Sequence, residues 1–532
     1  MQFNLADLFE SVVDAIPDRE ALVCGDRRLT YRQLDERANR MAHHLAAQGI
    51  APGDHVGLYL YNGTEYVEAM LACFKIRAVP INVNYRYVEA ELTYLFDNAD
   101  LVGVVMQREF CPRVAAVRVK VPTLRTFVYV DDESGADCEA LGATEFESAL
   151  AASKPDRDFP ERSPDDHFII YTGGTTGMPK GVVWRQEDIF FTGMGGGNPV
   201  GTPISAPEEL AENAKAKPAT NQFPIPPLIH GAAQLGVFIA FFWGDRVALI
   251  PKFDPELAWD VIEREQINTI TVVGDAIAAP MADVLEASAD RRDVGSLVYF
   301  GSAGALLSES VKERLRALLP NCIVTENFGA TETGYQGGAV PGGDRMRFMM
   351  NERTRVIDDE GRFVEPGSET VGKVALRGRI PVGYYNDPEK TAETFVEIDG
   401  ERWVLLGDMA LVEPDGIVKV LGRGTVCINS GGEKIYPEEV ESALKGHSDV
   451  DDAVVVGVPD ERWGERVAAV VQPRPGATPA EESLDAHVRT LVAGYKVPRA
   501  YTFVETILRH PSGKPDYPWA KKVAAGEEVP VQ

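Results

Sequence analysis

The 532 residues are too many for one hydrophobic core and imply roughly three or four folding units. Hydrophobic residues make up 45% of the chain, as in a globular protein, and the net charge of -28 excludes nucleic acid as a partner, because gripping phosphodiester backbones takes a basic surface. A polyphosphate ligand must therefore meet a local positive patch.

The six cysteines (Cys24, Cys73, Cys111, Cys138, Cys322, Cys427) include no close pair, so neither a zinc ligand set nor a small disulfide framework is expected. Reduced thiols in a cytoplasmic protein are the expectation. The first thirty residues hold Asp7, Glu10, Asp14 and Asp18 and no long apolar core, which argues against a secretory signal. No stretch approaches a membrane-spanning length, which leaves peripheral membrane contact and a homo-oligomer open.

In chain order, Thr30 with Gln33 forms a capping-box pattern, and Leu34, Ala38, Met41, Ala42 and Leu45 recur at helical spacing until Gly49. A strand at 55–60, a helix at 64–76, a strand at 79–83, a helix from Val88 and a strand at 101–105 continue the alternation expected of a parallel sheet covered on both faces. An apolar strand at 168–171 leads into a Gly/Thr loop. The stretch 195–219, rich in Gly, Pro and Ala, reads as an irregular excursion. Strands at 246–250, 269–273, 296–300 and 322–326 follow, then short strands with Gly/Asp turns over 345–419 that read as a small β-barrel. From Gly422 the style changes to a compact α+β module, with a helix at 437–444, strands at 453–458 and 467–472 and a helix at 484–492.

The loop reads Tyr171-Thr172-Gly173-Gly174-Thr175-Thr176-Gly177-Met178-Pro179-Lys180-Gly181. Its glycines let bare backbone N–H groups approach an anion, its threonines add hydroxyl donors, and Lys180 adds a positive charge. A P-loop would require Gly-Lys-Ser/Thr opening a helix, whereas Lys180 stands between Pro179 and Gly181. A second cluster, 326–334, ends a strand and sets Asn327 and Phe328 beside Thr331 and Glu332, side chains suited to a purine, a phosphoryl oxygen and Mg²⁺.

These two segments, with Gly-Asp at 407–408, Gly-Arg at 422–423 and Pro-Ser-Gly-Lys at 511–514, resemble over almost the whole chain the adenylate-forming enzymes, the acyl-CoA synthetase and luciferase superfamily. The resemblance implies an α/β fold: a large N-terminal domain of two doubly wound sheets plus a small β-barrel (1–422), and a smaller mobile α+β C-terminal domain (423–532). It also implies the reaction. A carboxylic acid is joined to ATP with release of pyrophosphate, and the acyl group then passes from the adenylate to a thiol, with Mg²⁺ assisting and CoA as the acceptor.

On the matched positions, Thr172, Gly173, Gly174, Thr175, Thr176, Gly177 and Lys180 would cradle the pyrophosphate portion. Gly304, Ala305, Asn327 and Phe328 would line the adenine, Thr331 would touch the α-phosphate, and Glu332 would bind Mg²⁺. Asp408 would accept both ribose hydroxyls, Arg423 would make a second nucleotide contact, and His230 would sit beside the acyl carboxylate. Lys514 would bridge the two repelling anions during adenylation. Gly431, Gly432 and Lys434 match the second face that the rotating C-terminal domain presents to pantetheine, with Lys496 and Arg499 as candidates for the CoA phosphates.

The chain departs from the family pattern at Gly173, where many relatives have Ser, at Phe328, where Tyr is usual, and at Thr425-Val426, where Lys-Asp often follows the hinge. The wording of 422–441, Pro-Leu-Ile-His-Gly at 227–231 and Ser-Gly-Lys-Pro-Asp-Tyr-Pro-Trp at 512–519 resemble bacterial fatty acyl-CoA synthetases, including those acting on steroid side chains. Small residues such as Gly301, Gly304, Gly329, Gly334, Gly337 and Gly338 would suit a bulky apolar acid. Two other functions remain open at this point: an acyl-AMP ligase loading a carrier-protein thiol, and a non-catalytic acyl or nucleotide sensor.

Overall fold

The computed structural model describes residues 1–527 apart from 173–177, 289–291, 306, 341–345, 431–432, 461–462 and 511–512, and the side chains of Thr425 and Lys434. Among the described residues, five strands pair in parallel in the order Val79–Asn82, His55–Tyr59, Leu101–Gln107, Thr126–Val130, Thr144–Glu145. A second sheet of eight strands runs Gly334–Gly338, Ile323–Ala330, Tyr299–Ala303, Thr269–Val272, Asn221–Pro224, Arg246–Leu249, Glu20–Cys24, Arg27–Thr30. Its six inner strands are parallel and its two edge strands antiparallel.

Parallel strands are apolar on both faces because helices cover them, and His55–Tyr59 is buried at every position. The core common to both sheets is built on the helices Leu5–Ala15, Tyr31–Ala47, Thr64–Lys75 and Gly231–Trp243. Phe74 there meets Phe168 edge to face, with ring centroids 5.3 Å apart. Tyr31–Ala47 starts as its sequence dictates: Thr30 Oγ1 accepts from the Gln33 N–H and the Gln33 side chain accepts from the Thr30 N–H.

A third, antiparallel sheet joins Gly383–Tyr384, Lys180–Arg185 and His167–Thr172. The expected barrel over 345–419 is a six-stranded antiparallel sheet centred on Glu401–Val412, which pairs with Gly372–Arg377, Ile417–Arg423 and Phe395–Ile398. The C-terminal module wraps the long hairpin Val450–Asp460/Gly464–Pro473 with helices Pro437–Lys445, Glu481–Leu491 and Tyr517–Ala524.

Two expectations are corrected. The 195–219 stretch is not wholly irregular: it contains the helix Glu209–Ala216, whose Leu210 and Ala214, four residues apart, are fully buried. Cys111 and Cys138 are not free thiols but form a disulfide, with Cα atoms 5.2 Å apart. Parallel pairing of Leu101–Gln107 with Thr126–Val130 returns the chain to the same sheet edge, a proximity that a sequence separation of 27 does not reveal. Cys24, Cys73, Cys322 and Cys427 are unbridged.

Candidate active site

A cavity of about 210 Å³ opens between the large domain and the C-terminal module. Gly304 and Ala305, just past the end of the strand Tyr299–Ala303, form part of its wall, and Gly304 takes a φ of +85° that only glycine adopts without strain. Asn327 and Phe328, from the neighbouring strand Ile323–Ala330, form the adjacent wall. Asn327 Nδ2 donates to the Tyr299 hydroxyl at 3.1 Å, and one face of Phe328 stacks on Phe348 with centroids 4.8 Å apart.

Opposite stand Asp408 and Arg423, cross-strand partners in the antiparallel sheet, with Arg423 Nε 3.7 Å from Asp408 Oδ1. Lys514 completes the ring from the C-terminal module. Burial and then the Arg423 charge pull its ammonium down to about 8, while Glu332 and Asp408 oppose that shift. Burial raises the Asp408 carboxyl, and Arg423 and Lys514 pull it back. The next shell is acidic, with the buried Glu438 carboxyl pushed up to about 7 by burial and then by Glu441.

Thr331 and Glu332 follow the same strand. The indole of Trp184 donates to the Thr331 carbonyl at 2.9 Å, and the Tyr384 hydroxyl donates to Glu332 Oε1 at 2.9 Å, which raises the Tyr384 phenol after burial has done so. Thr172 and Lys180 face each other across the antiparallel pair His167–Thr172/Lys180–Arg185. Lys180 is engaged: its Nζ donates to Asp387 Oδ2 at 2.8 Å and lies 5.8 Å from the Tyr384 ring centre. Gly173, Gly174, Thr175, Thr176, Gly177, Gly431 and Gly432 lie outside the described residues, as does the side chain of Lys434.

His230 is not in this cavity. It caps the helix Gly231–Trp243 and lines a second cavity of about 780 Å³, which shares Arg509 and Gly513 with the first. Lys496 is paired with Glu439 at 2.7 Å, and Arg499 lies over the Trp463 ring in a cleft lined also by Glu481, Glu482, Asp485 and Arg489. Of the six glycines named as room for a bulky acid, three are closely packed: a Cβ at Gly301 would strike Tyr299, and at Gly329 and Gly334 it would strike backbone, whereas at Gly304, Gly337 and Gly338 it would meet nothing nearer than 3.4 Å.

The C-terminal module is anchored by groups the sequence did not single out. Lys445 Nζ lies 3.3 Å from Asp275 Oδ2 of the large domain and 3.2 Å from Asp452, which also takes a two-pronged contact from Arg509 at 2.7 Å. Gly513, at φ +76°, lies close enough to Val273 and Ala276 that an added Cβ would crowd both. Arg509 stands five residues before Lys514 in Arg-His-Pro-Ser-Gly-Lys, a hint available in the sequence; Asp387 sits before Pro388 as a helix N-cap, but its pairing with Lys180 spans 207 residues.

No group of three or more potential metal ligands converges among the described residues. Glu332 supplies a single carboxylate, which fits Mg²⁺ held largely by substrate phosphates and water. No helix among the described residues is long and apolar enough to cross a membrane.

Residues 9–385 match the AMP-binding enzyme family and residues 439–514 its C-terminal domain. The chain belongs to the AMP-binding enzyme family. This AMP-binding enzyme is 51% identical, over 98% of its length and 96% of the relative's, to a medium/long-chain-fatty-acid–CoA/3-oxocholest-4-en-26-oate–CoA ligase of Mycobacterium marinum. It is 49% identical, over 98% of its own length and 96% of the relative's, to the 3-oxocholest-4-en-26-oate–CoA ligase of Rhodococcus rhodochrous. The anthranilate CoA ligase AuaEII, solved with anthranoyl-AMP, shares its fold at a TM-score of 0.85, with 22% identity over 98% of this chain and 97% of that one.

Proposed function

We propose that this enzyme is an ATP-dependent acyl-CoA synthetase for a hydrophobic carboxylic acid of the long-chain or steroid side-chain type. The acid's carboxylate oxygen attacks the α-phosphorus of ATP and the bond to pyrophosphate breaks. The CoA thiol then loses its proton, its sulfur bonds to the acyl carbon, and AMP leaves with the electron pair. The observation that carries this reading is the position of Lys514, a cation from the tail module, in one cavity with Gly304, Ala305, Asn327, Phe328, Asp408 and Arg423.

In this assignment Gly304, Ala305, Asn327 and Phe328 hold the adenine, Asp408 the ribose and Arg423 a further nucleotide contact. Thr331 would contact the α-phosphate, Glu332 would help hold Mg²⁺, and the 172–180 segment would hold the pyrophosphate. Bound Mg²⁺ supplies charge neutralisation on the phosphates. Lys514 approaches both anions as they join, where a preorganised cation is most effective because little water screens it. The domain boundary is assigned to 422/423, at the end of the strand Ile417–Arg423 that sets Arg423 opposite Asp408. ATP and CoA as substrates place the work in the cytoplasm.

His230 marks the acyl carboxylate end. Beyond it, Leu235, Gly236 and Ile239 share a half-buried face of Gly231–Trp243, an apolar track suited to a long acyl group. The names of the two bacterial ligases support the same class of acid. Acid-dependent exchange of pyrophosphate into ATP, run with competing steroid side-chain, long-chain and short-chain acids, tests the reading. Exchange with short acids alone overturns the substrate class, and absence of exchange with any acid overturns the reaction.

A further inference from the structure

We propose that Asp387 competes with the polyphosphate of ATP for Lys180: its carboxylate holds the ammonium while no phosphate is bound, gives it up when the phosphates arrive, and takes it back as pyrophosphate leaves. The proposal rests on the reading of this protein as an ATP-dependent acyl-CoA synthetase and makes Asp387 a positioning residue that acts through Lys180.

The chain on both sides of Asp387 is fixed. Its Oδ1 accepts the Lys390 N–H at 2.9 Å and so caps the helix Pro388–Thr394. Just before it, the Asn386 side chain donates to the Asn98 carbonyl and to Asp100 Oδ2, both at 3.0 Å, and the Tyr385 N–H donates to the Gly181 carbonyl at 2.8 Å. Gly383–Tyr384 pairs with Lys180–Arg185, so residues 383–387 run beside the strand that Lys180 opens. The member of the pair free to move is therefore the lysine, whose flexible stem carries the ammonium to Asp387 Oδ2. Lys390 is taken by Glu393 at 2.9 Å, which leaves the Asp387 carboxylate to Lys180.

The pair is open to water, with side chains 38% and 30% exposed, and an ion pair in that setting is weak and readily exchanged. A polyphosphate offers several anionic oxygens against the one that Asp387 presents, so exchange favours the ligand. The same segment also reaches the residue assigned to Mg²⁺: the Tyr384 hydroxyl donates to Glu332 Oε1 at 2.9 Å, and Lys180 Nζ lies 5.8 Å from the centre of the Tyr384 ring. Residues 384–387 thus touch both charged groups assigned to the polyphosphate and its metal. A carboxylate left beside bound phosphates repels them as well, so competition and repulsion act in one direction. Asp387 loosens the hold on the tail of ATP and eases pyrophosphate out.

The test is calorimetric binding of ATP, pyrophosphate and AMP to full-length wild type and Asp387→Asn, with Mg²⁺ and without acid. Asparagine keeps the helix cap and removes the charge, so Tm should stay near wild type. Kd for ATP and for pyrophosphate should fall about 2- to 5-fold, the scale of one exposed ion pair, while Kd for AMP, which lacks the β- and γ-phosphates, stays unchanged. Asp387→Ser, which also caps without charge, should give the same split. ATP and pyrophosphate bound no tighter than by wild type, or AMP tightened equally, overturns the proposal. A wild type that binds none of the three overturns the underlying functional reading instead.

Discussion

Asp408 and Arg423 are directly opposed on neighbouring antiparallel strands, yet the guanidinium Nε stays 3.7 Å from the carboxylate oxygen. That separation is too long for a hydrogen bond, so the carboxylate keeps its lone pairs for another donor while feeling the positive charge. An acceptor-only group in that state suits a ligand with paired hydroxyls.

Asp408→Asn keeps the shape and removes the charge. It should raise KM for ATP about 10- to 100-fold, the scale of one charge-assisted hydrogen bond, with Tm near wild type. An unchanged KM for ATP removes Asp408 from the nucleotide site.

Lys514→Ala should slow pyrophosphate exchange about 10²- to 10³-fold. Thioester formation from presynthesised acyl-adenylate should survive, because that half-reaction joins no pair of anions. Equal loss in both assays contradicts the role given to this lysine.

The pH profile follows from the same residue. With an ammonium pKa of about 8, Lys514 is charged below that pH and neutral above it. The kcat/KM for ATP in the exchange assay reports the free enzyme, so it should hold on the acid side and fall as pH rises through about 8. A profile flat to pH 10 in wild type, or a fall retained in Lys514→Arg, counts against the assignment.

Lys445 holds the C-terminal module to Asp275 of the large domain. Lys445→Met leaves Asp275 without its buried partner, a loss on the scale of about 3–5 kcal/mol that weakens the docked pose. Exchange should slow while thioester formation from added acyl-adenylate is spared, as read from the two half-reactions. Parallel slowing of both would falsify a pose-specific role.

The Cys111–Cys138 bridge ties the helix Cys111–Arg118 to the loop before Glu139, beside Phe110 and Arg113 on the wall of the larger cavity. Closing a loop of this size is worth about 2–4 kcal/mol. Dithiothreitol should lower the Tm of the wild type and leave Cys111→Ser/Cys138→Ser unmoved. Mass after alkylation should count four accessible-on-unfolding thiols in the oxidised protein, since Cys24, Cys73, Cys322 and Cys427 are unbridged. Six thiols before any reductant is added would show that the bridge does not form.

The sequence by itself determined the alternation of strands and helices, the capped start of Tyr31–Ala47 and the order of the nucleotide motifs, because each depends on neighbours within a few residues. Asn327, Phe328, Asp408 and Lys514 are located along the chain by short motifs that resemble those of the adenylate-forming enzymes. Only the tertiary structure decided which of them share a cavity, that His230 lines a different one, and that Lys180 is held by Asp387. The same holds for the Cys111–Cys138 bridge and the Lys445–Asp275 contact. Each of these joins segments distant in the chain, and their meeting is set by strand order and sheet packing, for which no local pattern of side chains carries a signal.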